Sequence, residues 1–151
     1  MSGGLAGTTM QPASDDGLDM TCLAAGTVAG EARQRIALRL GAWRMSHLVD
    51  DVAQIAAELI ANAIAATPDR EIRVRFTREP RGVLLGVWDG SDRMPQIRPH
   101  VELELKDLDL APERFDHNGG WGLHLVRAFA SECGVSKTEP HGKWTWARVP
   151  A

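Results

Sequence analysis

Cysteine is nearly absent from this chain, and the two residues present, Cys22 and Cys133, lie far apart with no ligand spacing around either. That excludes a disulfide-stapled scaffold and a cysteine-built zinc site. No secretory segment is visible, so the expectation is a cytoplasmic protein with both thiols reduced in or near its core. Long apolar runs are also missing: nothing approaches the roughly 18 residues that a membrane-crossing helix needs. A surplus of basic charge is lacking as well, with 17 Lys and Arg against 20 Asp and Glu and a formal charge of -3. A phosphate backbone is held mainly by excess positive charge, so direct nucleic-acid binding is not expected. Lysine is the rarest of the charges, at Lys106, Lys137 and Lys143 only. The five histidines, His47, His100, His117, His124 and His141, are scattered without a metal spacing. No Gly-x-Ser-x-Gly stands behind Ser91, Ser131 or Ser136, and no Lys-Ser or Lys-Thr follows the glycine cluster at 119–122, so a serine hydrolase and a P-loop are excluded.

An apolar fraction of 44% and a mean hydropathy of -0.20 over 151 residues describe one globular domain with a sizeable core and no internal repeat. Residues 1–20 hold few bulky apolar side chains and read as a flexible leader, leaving 21–151 as the domain. Thr21–Val28 is a weak first strand. Glu31–Trp43 puts Ala32, Ile36, Leu40 and Trp43 on one face of an amphipathic helix despite Gly41. Ser46 is a candidate cap for a second helix over Asp51–Thr67, whose apolar residues Val52, Ile55, Ala56, Leu59, Ile60 and Ala63 keep helical spacing until Pro68 ends the run. Glu71–Arg78 alternates as a strand with Ile72, Val74 and Phe76 on one side, and Val83–Trp88 follows as a central strand closed by Asp89. From Arg93 to Gly120 the period is lost, and a connection this long in a compact domain is unusual unless it is functional or disordered. Gly122–Cys133 returns to helix, and Gly134–Thr138 with Lys143–Val149 forms a terminal hairpin in which Thr145, Ala147 and Val149 face away from Trp144 and Trp146. On the outward face of an edge strand the two tryptophans mark either a contact surface or core packing. The predicted architecture is an α/β two-layer sandwich: a mixed, largely antiparallel sheet covered on one face by helices.

Three stretches can carry chemistry. Glu58 and Asn62 stand four apart on the second helix, so their side chains point the same way, roughly 6 Å apart along the axis. Such a pair can share a metal, a water or a nucleophile, although a solvated stripe looks the same, and only the mid-helix Asn asks for a reason. Asp89 can accept a hydrogen bond from an exocyclic amine, or can simply close its strand into a turn. Gly119-Gly120-Trp121-Gly122, just before a helix, lets a phosphate approach the backbone and meet free N–H groups, or is only a flexible connection.

In order, these motifs resemble the ATP-binding domain shared by gyrase, histidine kinases and MutL, the GHKL or Bergerat-fold superfamily. Within it the chain looks most like the anti-sigma factor serine kinases of the RsbW and SpoIIAB type, especially the single-domain actinobacterial versions. Glu58-Leu59-Ile60-Ala61-Asn62-Ala63 matches the N box, Asp89-Gly90 the adenine-binding motif, Gly120–Val126 the glycine box, and Gly142–Pro150, which includes Thr145, the closing strand. The resemblance implies that Asn62 coordinates Mg²⁺ on the ATP phosphates and that Glu58 acts as general base. It implies that Asp89 binds the adenine amine, that Gly120, Gly122 and Leu123 cradle phosphate beneath a lid at about 93–120, and that Thr145 belongs to the nucleotide site.

The match departs from the family at two places. The N box lacks the frequent basic or His residue just after it, since Ala65-Ala66-Thr67 stands there. The usual D-x-G-x-G becomes Asp89-Gly90-Ser91-Asp92-Arg93, and Asp92 brings negative charge toward a nucleotide unless it turns outward or helps hold metal. The resemblance therefore implies an ATP- and Mg-dependent serine/threonine kinase that binds a sigma factor and phosphorylates an anti-anti-sigma (STAS) partner, with homodimerisation through the tryptophan-bearing sheet face. The alternatives are a nucleotide-dependent protein-binding switch without turnover, and a scaffold that binds no nucleotide.

Overall fold

The computed structural model describes residues 17–93 and 129–151. Two helices cover one face of a five-stranded sheet whose strands are β1 (Leu18–Leu23), β2 (Glu71–Glu79), β3 (Gly82–Asp89), β4 (Glu132–Lys137) and β5 (Lys143–Pro150), in the order β1-β2-β3-β5-β4. Every pairing among them is antiparallel. The α/β two-layer architecture expected from the sequence is therefore the observed one.

The sheet sorts its side chains by the period of two. Ile72, Val74 and Phe76 of β2, Val83, Leu85 and Val87 of β3, and Ala147 and Val149 of β5 face the helices and join one buried cluster. Helix α1 (Val28–Ala42) contributes Val28, Ala32, Ile36 and Leu40, and α2 (Val49–Ala66) contributes Val52, Ile55, Ala56, Leu59, Ile60 and Ala63. These are the residues whose spacing predicted the two helices. Gly41 does not stop α1, because tertiary burial outweighs a penalty of about 1 kcal/mol.

The boundaries differ where local chemistry is silent. β1 starts at Leu18, inside the stretch read as a leader, because Leu18 is buried against the helices and pairs with Phe76. Its end at Leu23 and the turn in which the Val28 N–H meets the Ala25 carbonyl leave Val28 as the first residue of α1, not the last of a strand. Ser46 is no cap. It opens a short 3-10 turn, Ser46–Leu48, and neither α1 nor α2 has a side-chain hydrogen bond at its N-cap. The helix expected to reach Cys133 ends earlier, since Glu132 and Cys133 already pair with Arg148 and Ala147 as part of β4. β5 is also not an edge strand: it lies between β3 and β4, so Trp144 and Trp146 sit within the sheet and are 7% and 4% exposed.

Topology sets where a site can form. The chain leaves α2 at Ala66 and enters β2 at Glu71, and Ile72 lies opposite Asp89, which in turn lies opposite Lys143. Four linking residues, 67–70, span at most roughly 14 Å. The last turns of α2 are thus held near the sheet end where β3 finishes and β5 begins.

Candidate functional site

Glu58 and Asn62 project from α2 along one flank of its buried face. At roughly 100° per residue they fall on the side away from Ile60 and Ile64, beside Ile55. Both are half-buried, and Asn62 has a feature that a solvated stripe lacks: its Nδ2 is buried without a hydrogen-bond partner. An orphaned amide donor costs about 1–3 kcal/mol, so the position asks for an acceptor from outside the described protein atoms. Burial also raises the Glu58 carboxyl above its ordinary value, which moves a potential base toward neutral pH.

At the neighbouring sheet end, Asp89 shares the helix-facing phase of β3 with Val83, Leu85 and Val87. Its carboxylate is 2% exposed and meets the equally buried ammonium of Lys143 at 2.8 Å, Nζ to Oδ1. The same Oδ1 accepts the Ser91 N–H at 2.9 Å, and Lys143 Nζ donates a second time, to the Ser91 carbonyl at 3.0 Å. Asp89 does close its strand with the ordinary Asx turn, and in addition it forms half of a buried ion pair. Breaking such a pair from one side costs about 3–5 kcal/mol, because the remaining charge stays buried. Thr145 follows two residues along β5 on the same phase, buried and opposite Val87.

Asp92 stands between Ser91 and Arg93, the two residues that replace the family's glycines, and it turns toward the β4–β5 hairpin. Its Oδ1 accepts the Gly142 N–H at 2.9 Å and so ties the loop after β3 to the β4–β5 hairpin. Ser91 holds the loop further by accepting the Arg93 N–H on its hydroxyl at 3.0 Å.

Asp89 and Thr145 thus lie on the helix-covered side of the sheet, and the topology sets the last turns of α2, which carry Asn62, near the end where Asp89 stands. Gly120, Gly122, Leu123 and most of the lid at 93–120 lie outside the described residues. Lys143 was missed by sequence reasoning, although a signal existed. It shares parity with Thr145, Ala147 and Val149, and a lysine on a core-facing phase needs a buried partner.

Asn62 fits the Mg-nucleotide that the motifs imply. Its carbonyl oxygen is the hard donor that Mg²⁺ prefers, and a phosphate oxygen is the acceptor its Nδ2 lacks. The model of the histidine kinase-like ATPase domain matches residues 24–149, nearly the whole chain. No curated protein matches it. Among the described residues, no helix is long and apolar enough to cross a membrane.

Proposed function

The chain belongs to the histidine kinase-like ATPase domain family, and from that premise we propose that it is an ATP- and Mg-dependent anti-sigma factor that phosphorylates a serine or threonine of an anti-anti-sigma (STAS) partner. The observation that carries the proposal is the flank of α2, where the orphaned Asn62 amide stands one turn from a Glu58 whose carboxyl is pushed up by burial. Phosphoryl transfer asks the protein mainly for positioning and charge neutralisation. Asn62 holds the metal and the triphosphate, and Asp89 and Thr145 face the base. Gly120, Gly122 and Leu123 serve the phosphates. Mg²⁺, when bound, neutralises charge on the transferring group. Glu58 takes the proton of the incoming hydroxyl as its oxygen bonds to the γ-phosphorus, the bond to the bridging oxygen breaks, and ADP leaves.

A second reading, a nucleotide-dependent switch that binds its protein partner without turnover, draws on the Asp89–Lys143 pair, since a carboxylate already engaged on one oxygen alters nucleotide contact. One set of measurements separates the two. Titrate ATP with and without Mg²⁺ into the wild type and Asn62→Ala, then follow labelled phosphate onto a STAS-type substrate. Mg-dependent binding lost in Asn62→Ala, with transfer abolished in Glu58→Ala, supports the kinase. ATP-dependent partner binding with no ADP formed selects the switch. No ATP binding at millimolar concentration removes both.

A further inference from the structure

We propose that Lys143 reads the nucleobase together with Asp89, donating to the ring nitrogen beside the amine that Asp89 accepts from. The inference rests on the nucleotide-binding reading above and adds a specificity-determining residue to it.

The two side chains are direct cross-strand partners, Asp89 at the last position of β3 and Lys143 at the first of β5. Their hydrogen bonds are unequally spent. Oδ1 of Asp89 takes both Lys143 Nζ and the Ser91 N–H, while Nζ gives two of its three hydrogens, to Oδ1 and to the Ser91 carbonyl. That leaves Oδ2 of Asp89 and the third ammonium hydrogen of Lys143 without a further hydrogen bond among the described residues. An acceptor and a donor are thus left on adjoining groups, on the helix-covered side of the sheet where α2 brings Asn62.

A carboxylate alone asks only for a donor. A carboxylate beside an ammonium asks for a donor next to an acceptor, which is the edge of adenine: N6–H toward Oδ2 and N1 toward Nζ. Guanine held in the same pose presents the reverse at both positions, O6 against Oδ2 and N1–H against Nζ. The ammonium is also buried, and a buried donor that loses its acceptor is penalised far more than an exposed one. A base lacking only the N1 acceptor therefore binds at least about tenfold more weakly.

The experiment is calorimetric titration of the full chain with Mg-ATP, Mg-1-deaza-ATP, which replaces N1 by C–H, and Mg-7-deaza-ATP, which keeps N1 and the amine. The expected result is tenfold or weaker binding of the 1-deaza analogue, near-ATP binding of the 7-deaza analogue, and closure of the ATP to 1-deaza-ATP gap in Lys143→Met. Because that variant leaves Asp89 buried alone, the double variant Asp89→Asn/Lys143→Met, which removes both charges, is measured beside it, and the gap closes there as well. Equal binding of ATP and 1-deaza-ATP by the wild type overturns the role of Lys143 and leaves nucleotide binding intact. A gap that persists in the folded variants, or an equal loss with the 7-deaza analogue, also overturns it. Failure of every nucleotide to bind overturns this inference and the function on which it rests.

Discussion

Glu58 shows how one side chain can be destabilising for the fold and useful for chemistry. Its carboxyl is raised by desolvation, so between the ordinary Glu value and the raised one the folded chain holds more proton than the unfolded chain does. Stability therefore falls as pH rises through that window and stays lower above it. Glu58→Gln removes the titration. The expected outcome is a urea midpoint equal to wild type near pH 4, the two curves parting as pH rises, and the variant the more stable at about pH 7, while phosphoryl transfer drops by about 10²–10⁴-fold. A variant less stable than wild type at neutral pH would show that the carboxylate is favourably solvated or paired. Asn62 was legible because a mid-helix Asn needs a reason, and its orphaned amide supplies one. Asp92 was legible only as a negative charge between Ser91 and Arg93, which replace the two glycines of the D-x-G-x-G pattern. Its partner, the backbone N–H of Gly142, lies fifty residues away, beyond any local reading.

At the scale of elements, the loop after β3 and the β4–β5 hairpin behave as one joint. Gly142 stands at φ +92, and a Cβ there would lie 2.6 Å from Cζ2 of Trp88 and 2.7 Å from the Asp89 carbonyl. Trp88 in turn donates its indole N–H to the Thr138 hydroxyl at 3.0 Å, so the ring cannot yield without losing that bond. Gly142→Ala is expected to lower stability by about 1–3 kcal/mol or more, and Asp92→Ala by about 1 kcal/mol, through loss of the acceptor for the Gly142 N–H. Because the two positions share one contact, the double variant should cost less than the sum of the singles in urea denaturation. Strict additivity would mean the joint is not a unit. The strand β2, the position of β3 and both buried helix faces could be read in advance from their apolar pattern, whereas β1, which starts inside the stretch read as a leader, could not. Nor could the helix starts. Thr27 and Leu48 precede α1 and α2 without a side-chain cap, so the signal that fixes a helix start in sequence was never there.

For the whole molecule, the decisive asymmetry is between the two faces of the sheet. Helices cover one. On the other, among the described residues, the indoles of Trp144 and Trp146 are screened by guanidiniums: Arg73 and Arg75 stand 5.6 and 5.1 Å from the Trp144 ring centroid, and Arg148 stands 5.5 Å from that of Trp146. Gly134 gives the Trp146 ring its seat, since a Cβ there would come within 2.9 Å of Cζ2, and Ser136 accepts the Trp146 indole N–H at 3.2 Å. Ion pairs fix two of these arginines in place, Arg75 to Asp19 at 3.1 Å, and Arg148 to Glu79 at 2.9 Å and to Glu132 at 2.7 Å. The tryptophans are therefore covered within a single chain, and a second copy meeting this face meets arginine before it meets indole. Each guanidinium over a ring contributes about 0.5–1 kcal/mol to stability, so removing two of them leaves the fold intact while uncovering apolar surface. Arg73→Ala/Arg75→Ala is expected to stay folded and to self-associate more strongly than the wild type, visible as a sedimentation coefficient that climbs over a hundredfold range of protein concentration. Adding Trp144→Ser to the same background should reverse the climb. If the double variant sediments as the wild type does at every concentration, the arginines are not what keeps this face from closing on itself.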